Sequence, residues 1–298
     1  MKNHPILLTL LILGVTFMVI GVVIVMALVM SRGSEFSFNE KIGVINIEGI
    51  ILKSEPVVER LVQLRKDKSI KAIIIRIDSP GGGVGPSQEI YREIRKTVGT
   101  KKVVASMGSM GASGGYYIAS ATDKIVCNPG TLTGSIGVIM TFFQAEELMK
   151  KIGVDLNVIK SGEFKDAGSF HRKMTEAETQ LLQTVILDVR EQFIQAVAEG
   201  RHMPADKIRP IADGRILTGT QAKALGLVDE LGNFRDAVDL TKKLAGIKGE
   251  PTLIFPRKEK AGLLDFLLGK ASTEFSKAVQ EAFDIKLEYR WAGPLQGQ

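Results

Sequence analysis

Histidine and cysteine are scarce in this 298-residue chain, which has three histidines and one cysteine. A single cysteine excludes an intrachain disulfide and any cysteine-built zinc site. Cys127 lies in the strand-like "DKIVCNPG" and is expected to be buried as a small hydrophobe rather than to react. Phosphate-binding glycine signatures are missing as well: there is no G-x-x-x-x-G-K-[ST] and no G-x-G-x-x-G. The net charge of +6 comes from basic residues mixed with acids along the chain. They do not alternate with aromatics, so nothing points to nucleic acid. No metal or other cofactor is implied.

What is present begins with one long apolar run. Residues 6–30, "ILLTLLILGVTFMVIGVVIVMALVM", carry no charge, and about 20 such residues cross a bilayer core. A cleaved signal peptide has an apolar region of roughly 7–15 residues and a small-x-small site. This run is longer and "MALVMSRGS" is a poor cleavage site, so an uncleaved transmembrane signal anchor is expected. It follows a short tail (1–5) and precedes a polar juxtamembrane linker (31–40). Lys2 before the span, against Arg32 and the nearby Glu35 after it, favours N-inside. That predicts a single-pass protein of the cytoplasmic membrane with its globular part outside the cytoplasm, where its basic residues could also meet anionic lipid.

From residue 41 the pattern alternates strand and helix. "KIGVINIEG" (41–49), "IKAIIIRID" (70–78) and "KKVVASM" (101–107) read as strands, the second continuous enough for a buried parallel one. Helices are expected at 55–67, at 85–99 with Ser87 as cap, and at 114–121. Two short strands ("KIVCNPG", "GSIGVIM") should follow, then a helix at "FFQAEELMKKIG" and a strand at "LNVIKSG". A long helix over 175–201 opens on Thr175 and Glu178, a capping-box pair. Together these predict one α/β domain with a mainly parallel sheet over 41–249, and a C-terminal extension over 250–298.

Two glycine-rich stretches carry the chemistry. "IDSPGGGVG" (77–85) follows a buried strand; its backbone N–H groups could form an oxyanion hole, or it could simply be a sharp turn. "GSMGASGGYY" (108–117) also follows a strand and contains G-x-S-x-G around Ser113. Both therefore sit at the carboxyl edge of one sheet, where open α/β folds place their sites. Ser113 is the best-placed nucleophile: Ser106 lies inside the strand and Ser109 early in the turn. A histidine base is poorly supplied. His171 could follow Asp155 or Asp166, His202 looks exposed at a helix end, and His4 precedes the apolar run. A lysine made neutral by burial is the alternative base.

The ordered set "DSPGGG", "GSMGASGGYYIASATDKIVCNPGTLTGSIGV", "SGEFKDAGS" and "GRILTGTQAKALGLVDELG" resembles the signal peptide peptidase A family over roughly residues 41–245. These are membrane-anchored Ser/Lys proteases with a ClpP/crotonase-like fold. The resemblance implies Ser113 as nucleophile, Lys165 as general base and Ser135 as the hydroxyl that orients it. Backbone N–H groups of Gly82 and Gly114 are implied as the oxyanion hole, Gly82 being chosen over Gly81 or Gly83. It further implies hydrophobic peptide substrates, chiefly remnant signal peptides. It also implies a homo-oligomer, an octamer in the short form, whose sites are shared between neighbouring subunits. The alternatives are a related membrane protease cutting intact membrane proteins, a crotonase-type acyl-CoA enzyme and a non-catalytic membrane scaffold.

Overall fold

The computed structural model describes residues 13–24, 26, 40–256 and 287–290. The chain divides into two units, residues 1–39 and 40–298. In the first, residues 13–24 form a helix, α1, whose apolar side chains such as Leu13, Phe17 and Val23 are exposed. Among the described residues no helix is long and apolar enough to cross a membrane. The rest of the expected 6–30 anchor, apart from residue 26, lies outside the described residues.

The second unit alternates β1 (Lys41–Ile51), α2 (Glu55–Lys66), β2 (Ile70–Gly83), α3 (Val84–Val98), β3 (Lys102–Ala112), α4 (Gly114–Ser120) and β4 (Lys124–Cys127). Then come β5 (Leu132–Gly134), β6 (Ile139–Met140), α5 (Glu146–Lys151), α6 (Glu176–Arg201), α7 (Ala205–Ile208), β7 (Ile216–Thr218), α8 (Gly219–Ala224), β8 (Glu230–Leu231), α9 (Phe234–Ala245), β9 (Thr252–Ile254) and β10 (Leu287–Arg290). The main sheet runs β9–β1–β2–β3–β4–β8, every neighbouring pair parallel. Successive side chains of a strand face opposite ways, and here both faces are covered. Ile73, Ile75 and Ile77 pack in one cluster with Leu61, Ile90, Ile94 and Phe193. Ala72 and Ile74 pack in another with Val238 and Ile247. A sheet buried on both sides accounts for the unbroken apolar run "AIII".

β2 and β3 are longer than their apolar runs. The pairing register of β2 shifts between Ile77 and Ser79, and the strand continues through "SPGGG". Its last residues pair with Ile50 and Ile51 of β1 on one side and with β10, antiparallel, on the other. β3 likewise continues through Met110–Ala112 beside β5, which pairs with β7. What reads as two glycine turns is therefore largely strand, because glycine lets neighbouring backbones close in. A Cβ on Gly82 would begin 2.2 Å from the carbonyl oxygen of Ile51.

Other expectations shift. Gly83, not Ser87, occupies the N-cap of α3, and the buried Ser87 hydroxyl donates to Gly83 O at 2.9 Å. Of the expected helix 142–153 only Glu146–Lys151 forms. The expected strand at 156–162 is loop; Leu156, Val158 and Ile159 are exposed and the segment has no partner strand among the described residues. Residues 250–298 are not wholly an appendage, since β9 and β10 both join the sheet. The α6 capping box is present: Thr175 Oγ1 accepts from Glu178 N and Glu178 Oε2 from Thr175 N.

Candidate active site

Ser113 directly follows β3 and occupies the N-cap position of α4, the residue being 1% exposed. Its backbone sits at φ 53 and ψ −117, a conformation that L residues rarely adopt. Only Ser113, Ser135 and His202 among the described non-glycine residues have positive φ. His202 is the left-handed C-cap of α6, an ordinary place for it. The other two are predicted site residues, and the sheet puts them side by side. β3 and β5 pair Ala112 with Gly134, so Ser113 and Ser135 are the next residues on adjacent parallel strands. Ser113 N donates to Gly134 O at 2.8 Å and Ser135 N to Arg215 O at 2.8 Å. Two strained residues held by cross-strand bonds match the pattern of functional constraint rather than of a relaxed turn.

The two glycine motifs meet here. A Cβ on Gly114 would begin 3.2 Å from Gly82 N and 2.7 Å from Ser87 Oγ, and one on Gly81 2.7 Å from Gly114 N. Gly81 has φ +102, and its own N–H donates to Ser79 Oγ at 3.1 Å. That leaves Gly82 N–H, rather than Gly81 N–H, beside Gly114. Two residues that no site motif marks out, Asp78 and Ser79, brace this arrangement. Asp78 accepts from Met110 N at 3.1 Å and from Ser109 N at 3.3 Å, tying the two motifs together. Buried Ser79 donates to Gly49 O at 2.6 Å. The "DS" preceding "PGGG" was the available signal, since Asp and Ser hydrogen-bond nearby backbone.

Among the described residues Lys165 has no hydrogen bond to Ser113. It is exposed on the loop between α5 and α6, its backbone N–H donating to Gly162 O. Among the described residues its ammonium has no hydrogen-bond or ion-pair partner. What fixes this loop is next to it in sequence. Arg172 forks onto Asp166 (Nη2 to Oδ1 2.7 Å, Nε to Oδ2 3.0 Å) and onto Glu178, whose other bonds make the α6 capping box. Lys160 joins Asp166 at 2.7 Å. Arg172 holds the Asp166 carboxyl well below the ordinary carboxylate range, and holds Glu178 down to about 2. Both folded-state values are depressed, so the clamp is at full strength above about pH 4.5. It weakens as pH falls further and is lost through about pH 2. If Lys165 is the base, as the family resemblance implies, Arg172→Ala is expected to lower kcat by about 10- to 100-fold with KM little changed, because misplacing a base by an ångström costs that much. Faster hydrogen exchange over 160–175 should accompany it, and unchanged kcat would show that the loop is held otherwise.

His171 packs edge-on against Phe170 at 5.8 Å, and neither it nor His202 has a described bond to Ser113. His4 lies outside the described residues. Cys127 is buried in β4, and burial pushes its thiol up to about 11, which suits packing rather than nucleophilic work.

A parallel sheet covered on both faces, with glycine-lined strand ends converging on a strained serine, defines a mixed α/β protein with a mostly parallel sheet and a candidate serine site at its strand ends. A family model for Clp protease matches residues 43–130. The description Peptidase family S49 matches residues 95–248, and the chain belongs to that family. A Synechocystis sp. protein provisionally named as a protease is 44% identical over 212 residues, covering 71% of this chain and 76% of that one. The chloroplastic serine protease SPPA of Arabidopsis thaliana is 36% identical over 78% of this chain and 35% of its own length. Protease 4 of Haemophilus influenzae is 34% identical over 72% of this chain and 36% of its own. The protein is a serine-type endopeptidase, which sets aside the acyl-CoA-enzyme and scaffold alternatives.

Proposed function

We propose that the chain is a membrane-anchored endopeptidase that cuts hydrophobic peptides, chiefly remnant signal peptides, with a Ser113/Lys165 dyad. The observation that carries this is the pairing of two strained serines, Ser113 and Ser135, on adjacent strands beside Gly82 and Gly114. In the proposed mechanism the neutral amine of Lys165 takes the proton from Ser113 Oγ, which attacks the scissile carbonyl carbon. The Gly82 and Gly114 N–H groups donate to the oxyanion. The Lys165 ammonium protonates the leaving amine, and the neutral amine so regenerated activates the water that hydrolyses the acyl-enzyme. The Ser135 hydroxyl orients the lysine without adding charge. No metal or cofactor enters these steps. Residues 6–30 tether the enzyme to the cytoplasmic membrane with the catalytic domain outside the cytoplasm.

A lysine works as a base near neutral pH only when desolvation lowers its pKa, and Lys165 is exposed in the single chain. The segment around it also exposes Phe143, Ile152, Ile159 and Phe164. A second copy packed on this apolar surface would both dehydrate Lys165 and supply the serine it serves, giving a homo-oligomer such as an octamer with shared sites. The test is complementation. Ser113→Ala and Lys165→Ala chains, each inactive on a signal-peptide-like probe, are unfolded together and reassembled one to one. Random assembly of shared sites should restore about a quarter of wild-type activity. A mixture that stays inactive, when wild type survives the same procedure, overturns the shared site. Activity retained by either variant alone overturns the dyad.

A further inference from the structure

The two ends of the parallel sheet differ in charge. At the carboxyl end the connections run through "SPGGGVGPS" and "GSMGASGG", which carry no charged residue. At the amino end the chain enters β2, β3 and β9 through "RKDKSIK" (65–71), "RKTVGTKK" (95–102) and "KKLAGIKGE" (242–250). These three segments hold eleven basic residues and two acidic ones, in a chain whose totals are 39 and 33. β9, β1, β2 and β3 are parallel neighbours, with Lys41 opposite both Ile70 and Thr252 and Lys102 opposite Ala72. All three segments therefore gather at one edge of the sheet.

Helix dipoles explain part of this. α2, α3 and α9 each end on two basic residues: Arg65 and Lys66, Arg95 and Lys96, Lys242 and Lys243. Cations are favourable at helix C-termini. Lys101 has a structural task too, donating to Leu64 O and Asp67 O. Neither reason covers Lys68 or Lys248, which lie exposed beyond the helix ends. Nor does local pairing absorb the excess. Among the described residues Lys66, Lys68, Lys243 and Lys248 are exposed, and their ammonium groups have no ion pair or hydrogen bond. Like charges left open on one edge repel one another, and a surface of opposite charge relieves that repulsion.

Lys41 opens β1 at this same edge, and residues 31–40 are all that separate it from the apolar run at 6–30. A chain of that length reaches at most about 35 Å. We infer that this basic edge docks on the anionic headgroups of the bilayer in which residues 6–30 are anchored. The inference rests on the anchor reading above. Each lysine near an anionic surface strengthens the attraction roughly fivefold, so the edge fixes how the domain is turned, where a tether alone fixes only how far it strays. That orientation has a consequence for substrates. β2 rises on the order of 40 Å between Ile70 and Gly82, at about 3.3 Å per residue. Docking by the amino edge lifts Ser113 about that far above the lipid. Peptides that have left the bilayer meet the site, and those still embedded in it do not.

Lysine acetylation of the full chain in lipid nanodiscs, read by peptide mass spectrometry, tests this. In discs of equal phosphatidylcholine and phosphatidylglycerol, Lys66, Lys68, Lys243 and Lys248 are expected to react at least about fivefold more slowly than in phosphatidylcholine discs. Lys53, exposed just past the carboxyl end of β1, should react alike in both. Sodium chloride at about 1 M, where the Debye length is about 3 Å, should remove the difference. Changing Lys68→Gln, Lys243→Gln and Lys248→Gln together should remove most of the protection left at Lys66 while cleavage of a soluble peptide is kept. Equal labelling in the two discs, by a chain that has entered both, overturns the inference and leaves the anchor standing. Slowing that appears only on adding dextran sulfate overturns it in favour of a soluble polyanion. A chain that enters neither disc overturns the anchor reading and the inference with it.

Discussion

Ser113→Gly is expected to abolish activity and to raise stability. Loss of the attacking hydroxyl should lower kcat/KM by about 10^4- to 10^6-fold, the range seen when a serine nucleophile is removed. The stability gain comes from the backbone. At φ 53 and ψ −117 a residue with a Cβ carries strain of order 1–3 kcal/mol, and glycine does not. Against that stands the extra freedom glycine gives the unfolded chain, roughly 0.4–1 kcal/mol. The difference favours the variant by about 1 kcal/mol, or a rise of about 2–4 °C in a domain of this size. Ser113→Ala should lose the same activity with no such rise, since alanine keeps the Cβ. Thermal melts of the three proteins decide it. A glycine variant no more stable than the alanine variant would mean that the turn is unstrained.

The parts of this site that were legible in the sequence are the parts that are local. "AIII" signals a buried parallel strand because both faces of β2 are covered. G-x-S-x-G signals a serine at a strand end because the motif itself makes the bend. The capping box of α6 is likewise a matter of residues three apart. What was not legible depends on partners distant in the chain. "SPGGG" has no hydrophobic period, so its strand character cannot be read; it comes from pairing with Ile50 and Ile51 and with residues 288–290. β10 lies in a weakly amphipathic stretch and becomes a strand only because β2 and β6 offer it two edges. The loop at 156–162 fails in the opposite direction. Its β-branched residues invite a strand, but no described neighbour pairs with it. Lys165 is the sharpest case. Its part in the motif could be matched to a family by position, yet its exposure, on which the proposal of a second copy rests, appears only in three dimensions.

Gly81→Ala and Gly82→Ala should both be severe, and for different reasons. At Gly82 the added methyl would begin 2.2 Å from Ile51 O and 2.6 Å from Ile51 N. Both are backbone atoms of β1 and cannot swing aside, so β1 and β2 must part. The Gly82 N–H then moves with its strand. If that N–H is an oxyanion donor, as proposed, its loss costs about 10^2- to 10^3-fold in kcat, and here it should come with a lower melting temperature. At Gly81 the methyl would instead begin 2.0 Å from Tyr289 O of β10, on the other edge of β2, and at φ +102. If a peptide substrate pairs with this edge of β2, the variant blocks it directly. Its KM should rise sharply. Steady-state kinetics on a short peptide, with melts of both variants, separate the two effects. Equal losses in KM for both variants would mean that the β2 edge is a structural seam, and that peptide binds elsewhere.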